Sequence, residues 1–248
     1  MIKRTLYFGN PAYLKTENEQ LVAQLQNEAV ETKSIPIEDI GILILDHRQI
    51  TITQALMAKL LANNSAVITC DETHHPTGML LSLDGNSLQS KMFQIQTEAS
   101  IPLKKQLWQQ TVAAKIQNQA GMLSFQRAEH QLLLNLAASV KSGDSDNAEA
   151  QAAAYYWKKV FPATLSFRRE RHGPPPNNLL NYGYAILRAM LARSLVASGL
   201  LPTLGIHHRN QYNAYCLADD VMEPYRPFVD YVVFQIMRNN GAYLEMSP

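Results

Sequence analysis

The hydrophobic period of this chain changes once along its length, and that change constrains the fold more than any other feature. From Thr5 to about Asp84 apolar residues come in short runs bounded by turn formers. Thr5-Leu6-Tyr7-Phe8 stops at Gly9-Asn10-Pro11, Tyr13 to Lys15 and Leu21 to Gln24 flank the polar tip Glu17-Asn18-Glu19, and Ile42 to Leu45 is closed by Asp46. These runs predict strands, one pair of them a hairpin. Pro36, between Ile35 and Ile37, belongs on a sheet edge because it cannot donate to a ladder. Thr53 is placed to cap a single helix over Gln54 to Leu61, after which Ala66 to Cys70 and Thr77 to Leu81 return to strand. Beyond about Ala99 the spacing becomes helical: Leu103, Leu107, Trp108, Val112 and Ile116 form one stripe behind Pro102. Further helices are predicted over Gln126 to Val140, Ala148 to Val160, Asn178 to Ser198 before Gly199, and Asn213 to Arg238 with kinks at Pro224 and Pro227. The expected class is α+β: a small β-sandwich-like domain over 1–84, a linker over 85–98 and a larger all-α domain over 99–248.

The 46% hydrophobic and 17% charged content of the 248 residues excludes bulk disorder. The formal net charge of +1 argues at face value against a nucleic-acid binder. Divided along the chain it reads differently: residues 1–95 carry a net −3 and residues 96–248 a net +4. Arg168-Arg169-Glu170-Arg171-His172, ahead of Gly173-Pro174-Pro175-Pro176, suits either a phosphate-gripping loop or a solvated one. Cys70 and Cys216 belong to no CxxC pair, which excludes a zinc finger or a disulfide scaffold. No apolar run reaches signal-peptide or membrane-span length, so a cytoplasmic location without membrane contact is expected.

Three groups in the second part are candidates for chemistry. Glu149 falls early in a helix, with Tyr156 and Trp157 two turns on. A carboxylate there is also favoured simply by the helix dipole. His207 and His208 lie in a loop, where an imidazole pair is either ligand or surface decoration. Asp219, Asp220 and Glu223 follow at i, i+1 and i+4, a spacing that sets like charges side by side on a helix. A divalent cation of the Mg²⁺ or Mn²⁺ class would relieve that repulsion; pairing of an acidic patch with Arg226 would do so equally.

The run Gly205-Ile206-His207-His208-Arg209-Asn210-Gln211-Tyr212-Asn213, continuing through Leu217-Ala218-Asp219-Asp220-Val221-Met222-Glu223-Pro224-Tyr225-Arg226-Pro227-Phe228-Val229-Asp230, resembles the signature of CRISPR-associated protein one, the spacer-acquisition integrase family. Asn181-Tyr182-Gly183-Tyr184 and Gly199-Leu200-Leu201-Pro202 are similar to further segments of it. The Gly-Ile-His-His form is most like the branch that accompanies type II systems.

The resemblance implies a site in the α domain in which Glu149, His208 and Glu223 hold Mg²⁺ or Mn²⁺, with Asp220 as a supporting carboxylate. Ligands of one ion should converge within about 4 to 5 Å of each other. It implies strand transfer, in which a 3′-hydroxyl of a short DNA fragment attacks a phosphodiester of the repeat array. Arg168, Arg169, Arg171 and Arg209 are expected to hold the backbone of double-stranded DNA. The implied partners are a second copy, paired through the β domain, and the small second adaptation protein in a heterohexamer-like complex, with the effector nuclease as a further candidate. The same site could serve a nuclease acting on branched DNA, and a non-catalytic DNA-binding scaffold is the rival from another class. The chain departs from the family pattern at Ala150 and Ala154, where many members carry glycine and a basic residue. It also provides less helix after Asp230.

Overall fold

The computed structural model describes residues 3–25, 31–162, 166–171 and 173–240. Packing divides the described residues into two units, one formed by those up to 93 together with 189–200, the other by those of 94–188 and 201–240.

Among the described residues of the first unit, eight strands form two four-stranded sheets. One sheet joins β1 (Arg4–Phe8), β5 (Ile40–Leu45), β7 (Ala66–Cys70) and β8 (Pro76–Leu80) in that order, with parallel β1/β5 and β5/β7 pairs and an antiparallel β7/β8 pair. The other runs β4 (Glu31–Pro36), β3 (Gln20–Leu25), β2 (Ala12–Glu17), β6 (Thr51–Ile52). The expected hairpin is β2/β3, and Asn18 and Glu19 turn it with φ of 48° and 58°, the left-handed pair of a tight hairpin turn. Pro36 ends an edge strand, as its missing N–H requires. Ala12 and Leu14 of β2 face inward while Tyr13 is exposed, the alternation of a strand with one wet face. Both sheets share one core with α1 (Gln54–Ala62): Leu14, Leu21 and Ala23 pack with Ile40, Leu43, Val67, Leu56 and Leu60. Thr53 caps α1 by accepting from Leu56 N at 3.3 Å.

The span expected to be a linker contains helix α2 (Gln89–Glu98). Residues 189–200 close the first unit: Arg193 Nε donates to the Asn64 carbonyl, and Asn86 Nδ2 donates to the Ala197 carbonyl at 3.0 Å.

The second unit is built on α3 (Ile101–Phe125), capped by Ser100 and carrying Pro102 in its first turn. Trp108, Val112, Ile116, Ala120 and Leu123 bury one stripe of it, whereas Leu103 and Leu107, expected on that stripe, are exposed. Against it pack α4 (Gln131–Ser139), α5 (Ala148–Trp157), α7 (Cys216–Met222) and α8 (Arg226–Asn240), and the start of α6 (Asn177–Ala197) belongs to the same unit. Arg127, at φ 59°, separates α3 from α4, so the helix expected from Gln126 begins five residues later. Gly199, at φ 77°, follows α6 as a left-handed stop. The last expected helix is three pieces, with a 3₁₀ turn over Glu223–Tyr225 between α7 and α8 where Pro224 removes a backbone donor. Among the described residues no helix is long and apolar enough to cross a membrane.

Candidate active site

Glu149 is the second residue of α5. Asp144 secures that helix start: its two carboxylate oxygens accept from Ala148 N at 2.8 Å and Glu149 N at 3.1 Å, satisfying donors that every helix start leaves open. Glu223 opens the 3₁₀ turn after α7 and is buried. Asn118 of α3 donates to the Pro224 carbonyl at 2.7 Å, tying the backbone beside Glu223 to the central helix.

These two carboxylates meet at Lys115. Its Nζ lies 2.6 Å from Glu149 Oε1 and 2.6 Å from Glu223 Oε2. Burial disfavours its charge, but Glu223 and Glu149 more than offset that and hold the ammonium above its ordinary pKa. The other oxygen of Glu223, Oε1, accepts from Arg226 Nε at 2.8 Å. Sequence reasoning identified the Glu223–Arg226 pair but passed over Lys115. The available signal was a charged residue three beyond Val112 and seven beyond Trp108, against the buried stripe of α3.

The imidazole side is organised by Asp220, which is fully buried. Its Oδ2 accepts from Ile206 N at 2.6 Å and His207 N at 2.8 Å, and its Oδ1 accepts from His208 N at 3.2 Å and pairs with His208 Nδ1 at 2.5 Å. One carboxylate thus clasps three successive amides and the ring that follows them. Gly205 has to be glycine: a Cβ there would run into the His208 carbonyl and stand 2.9 Å from Asp220 Oδ2. The hydrogen bond to Asp220 raises the pKa of His208 against an opposing effect of burial. With the Nδ1 proton directed to a carboxylate, Nε2 carries the lone pair, the usual arrangement of a metal-binding histidine. His207 stacks on Trp108 of α3 at 4.2 Å and 4°, while the His208 ring meets the same indole edge-on at 5.7 Å.

Asp219 takes no part in this cluster. Arg188 grips it through Nε at 2.6 Å and Nη2 at 3.1 Å, and Asn213 Nδ2 adds a third bond at 2.7 Å. The side-by-side carboxylates anticipated from the i, i+4 spacing therefore disperse to separate cations, because the helix breaks into a 3₁₀ turn at Glu223.

The donor set of Glu149, Glu223 and His208, two carboxylates and an imidazole nitrogen, fits Mg²⁺ or Mn²⁺ chemically, and a cation already lies between the carboxylates. The expected close convergence of all three is not what the structure has. Among the described residues, no three His, Cys, Asp or Glu side chains are grouped to hold a metal ion as they stand. Lys115 fills the space between the glutamates, and Asp220 draws the imidazole by its Nδ1.

A polar and cationic rim adjoins the site. A pocket of about 370 Å³ beside His208 is lined by Lys104, Arg209, Asn210 and Gln211 among others. Arg168, Arg171 and Arg209 are exposed. Arg169 is committed internally, to the Glu170 carbonyl at 2.8 Å, Asn177 Oδ1 at 2.9 Å and Asn181 Oδ1 at 2.6 Å. His172 lies outside the described residues.

A β-rich unit joined to a helical unit places the chain in the class of two-part α+β proteins. The chain matches the family described as CRISPR associated protein Cas1 over residues 6–243. It is 38% identical over 250 residues to the CRISPR-associated endonuclease Cas1 of Neisseria meningitidis serogroup C (strain 8013), covering 100% of this chain and 80% of that protein. It therefore belongs to the Cas1 family. Among solved structures, a chain of a Cas6-RT-Cas1–Cas2 complex is 25% identical with a TM-score of 0.72, covering 96% of this chain and 28% of that one. A casposase bound to integration product shares the fold at a TM-score of 0.77 and 21% identity, over 96% of this chain and 73% of that chain.

Proposed function

We propose that this chain is the DNA-joining enzyme of CRISPR adaptation, inserting short DNA fragments into a repeat array through its helical unit. The observation that carries the reading is the pair of carboxylates, Glu149 and Glu223, held on one cation, with the His208 ring pinned through Nδ1 by buried Asp220. The whole-length relative named an endonuclease supports phosphodiester chemistry, and the Cas1–Cas2 complex supports a Cas2-type partner. A second copy of the chain is the further partner proposed, since two fragment ends require two sites.

Glu149, Glu223 and His208 Nε2 would hold a divalent cation of the Mg²⁺ or Mn²⁺ class, which when bound supplies charge stabilisation at a phosphoryl oxygen. Around it the chain's own residues set the geometry. Asp220 fixes the imidazole tautomer, Arg226 keeps Glu223 aligned through its second oxygen, and Asn118 anchors the backbone that carries it. Arg168, Arg171 and Arg209 are available to bind the DNA backbone without reading sequence. The reaction is a transesterification: the 3′-hydroxyl forms one P–O bond as another breaks to a 3′-oxygen, so no external energy source is required.

The test is to incubate the chain, its small partner, Mn²⁺ and a short duplex with a supercoiled plasmid bearing a leader and repeat. Joined products are expected from the natural chain and should fall by a factor of at least ~100 in Glu149→Gln and His208→Ala. Equal joining by those variants would reject the site. Cleavage of branched DNA with no joining would assign the nuclease reaction instead.

A further inference from the structure

We propose that Lys115 is the resident cation of this site and that a divalent ion binds by exchange with its ammonium group. This rests on the reading of Glu149, His208 and Glu223 as metal ligands, and goes beyond it in naming what occupies the site first and what the ion must displace. Lys115 Nζ stands 2.6 Å from an oxygen of each glutamate, and its side chain is only 13% exposed, so water is a poor substitute for it. Two carboxylates sharing a point in a partly dry site repel each other strongly unless a positive group lies between them. An ion with ligand distances of about 2 to 2.4 Å would need the same volume, because both carboxylates are already turned toward the nitrogen. Ammonium and divalent ion are therefore alternatives.

The partners of Glu223 fit an exchange. Oε2 faces Lys115 while Oε1 is held by Arg226, so departure of the ammonium leaves the carboxylate anchored and oriented. Glu149 is likewise fixed from behind, since Asp144 holds its backbone amide. Lys115 itself lies on α3 one turn before Asn118, whose side chain holds the Pro224 carbonyl. The helix that supplies the removable cation thus also supplies a fixed strut. Exchange has a thermodynamic signature: the protein with Lys115 withdrawn is the competent state, and the apparent affinity for the ion is lowered by the fraction of time that state exists.

The test measures Mn²⁺ binding by calorimetry to the chelator-treated full chain, to Lys115→Met and to Lys115→Arg. Lys115→Met is expected to bind Mn²⁺ at least tenfold more tightly than the natural chain and to show a larger rise in melting temperature on Mn²⁺ addition. Lys115→Arg, which keeps the charge, is expected to show no tightening. Equal or weaker binding by Lys115→Met overturns the proposal. Should Lys115→Met not fold, the natural chain answers the question by reductive methylation, followed at the Lys115 peptide by mass spectrometry. Mn²⁺ is expected to accelerate modification by releasing the ammonium, and an unchanged or slower rate overturns the proposal. Failure of the underlying metal-site reading is distinguishable, because Glu149→Gln and His208→Ala would then bind Mn²⁺ as the natural chain does.

Discussion

Gly205 shows how one residue sets the geometry of the imidazole side. Its missing side chain lets the 205–208 backbone fold onto Asp220, so Gly205→Ala must displace either the His208 carbonyl or the clasping carboxylate. Forcing a methyl group into this contact is expected to cost about 1 to 3 kcal/mol of stability, read as a lowered urea midpoint, and to abolish strand joining as well. Unchanged stability with full joining would show that the clasp does not matter. The three proposed ligands come from the family resemblance, in runs where they are easily picked out: Glu223 before Pro224, His208 as the fourth residue from Gly205, and Glu149 at a helix start. Lys115 and Asp144 were not legible in the sequence, because each acts across 34 and 5 positions respectively on a residue that spacing alone does not connect to it. Periodicity reports which face a side chain shares along one helix. It does not report which side chain from another helix will meet it.

At the level of elements, α5, α6 and α8 are tied at one buried carboxylate. Asp230 of α8 accepts from Tyr156 of α5 at 2.8 Å and from Tyr184 of α6, while the guanidinium of Arg226 lies 4.6 Å from the centre of the Tyr184 ring. Burial raises the pKa of Asp230 to about 6, against the two tyrosine hydrogen bonds, which favour the charge. The sign follows from proton linkage. The folded chain takes up this proton near pH 6, whereas the unfolded chain waits until near 3.8, so this group adds stability as pH falls through that window. The full effect is about 3 kcal/mol. Melting curves between pH 7.5 and 4 are therefore expected to show the natural chain gaining on Asp230→Asn as pH falls; parallel curves would remove Asp230 as the source. The existence of these helices was largely legible from 3.6-residue spacing and from Gly199, but their ends were not. Arg127 adopts a left-handed conformation that a bulky residue seldom takes, whereas the kink expected at Pro224 is present as the 3₁₀ turn, with Asn118 of α3 holding its backbone.

At the level of the whole molecule, the division of charge matters more than its sum. Residues 96–248 carry the excess of positive charge, and exposed Arg168, Arg171 and Arg209 contribute to it, so duplex binding is expected to weaken steeply with salt. Each of the three changed to alanine should flatten the slope of log K against log salt by about 0.9 if it contacts one phosphate. Arg169→Ala should instead act through the fold, lowering the melting temperature with little change in slope; slopes unaffected by all three exposed changes would place the DNA elsewhere. The two-part organisation was legible from the change in hydrophobic period, but residues 189–200 were not foreseen as part of the first unit. Residues 189–197 continue a regular helix, and nothing in their own pattern marks the point at which α6 passes into the first unit. The stack of His207 on Trp108 has one more consequence. The chain has only two tryptophans, and the emission of an indole pressed flat against an imidazole changes when that ring swings away. The motif loop thus carries its own optical reporter, and its closure over Asp220 can be followed by light without attaching a dye.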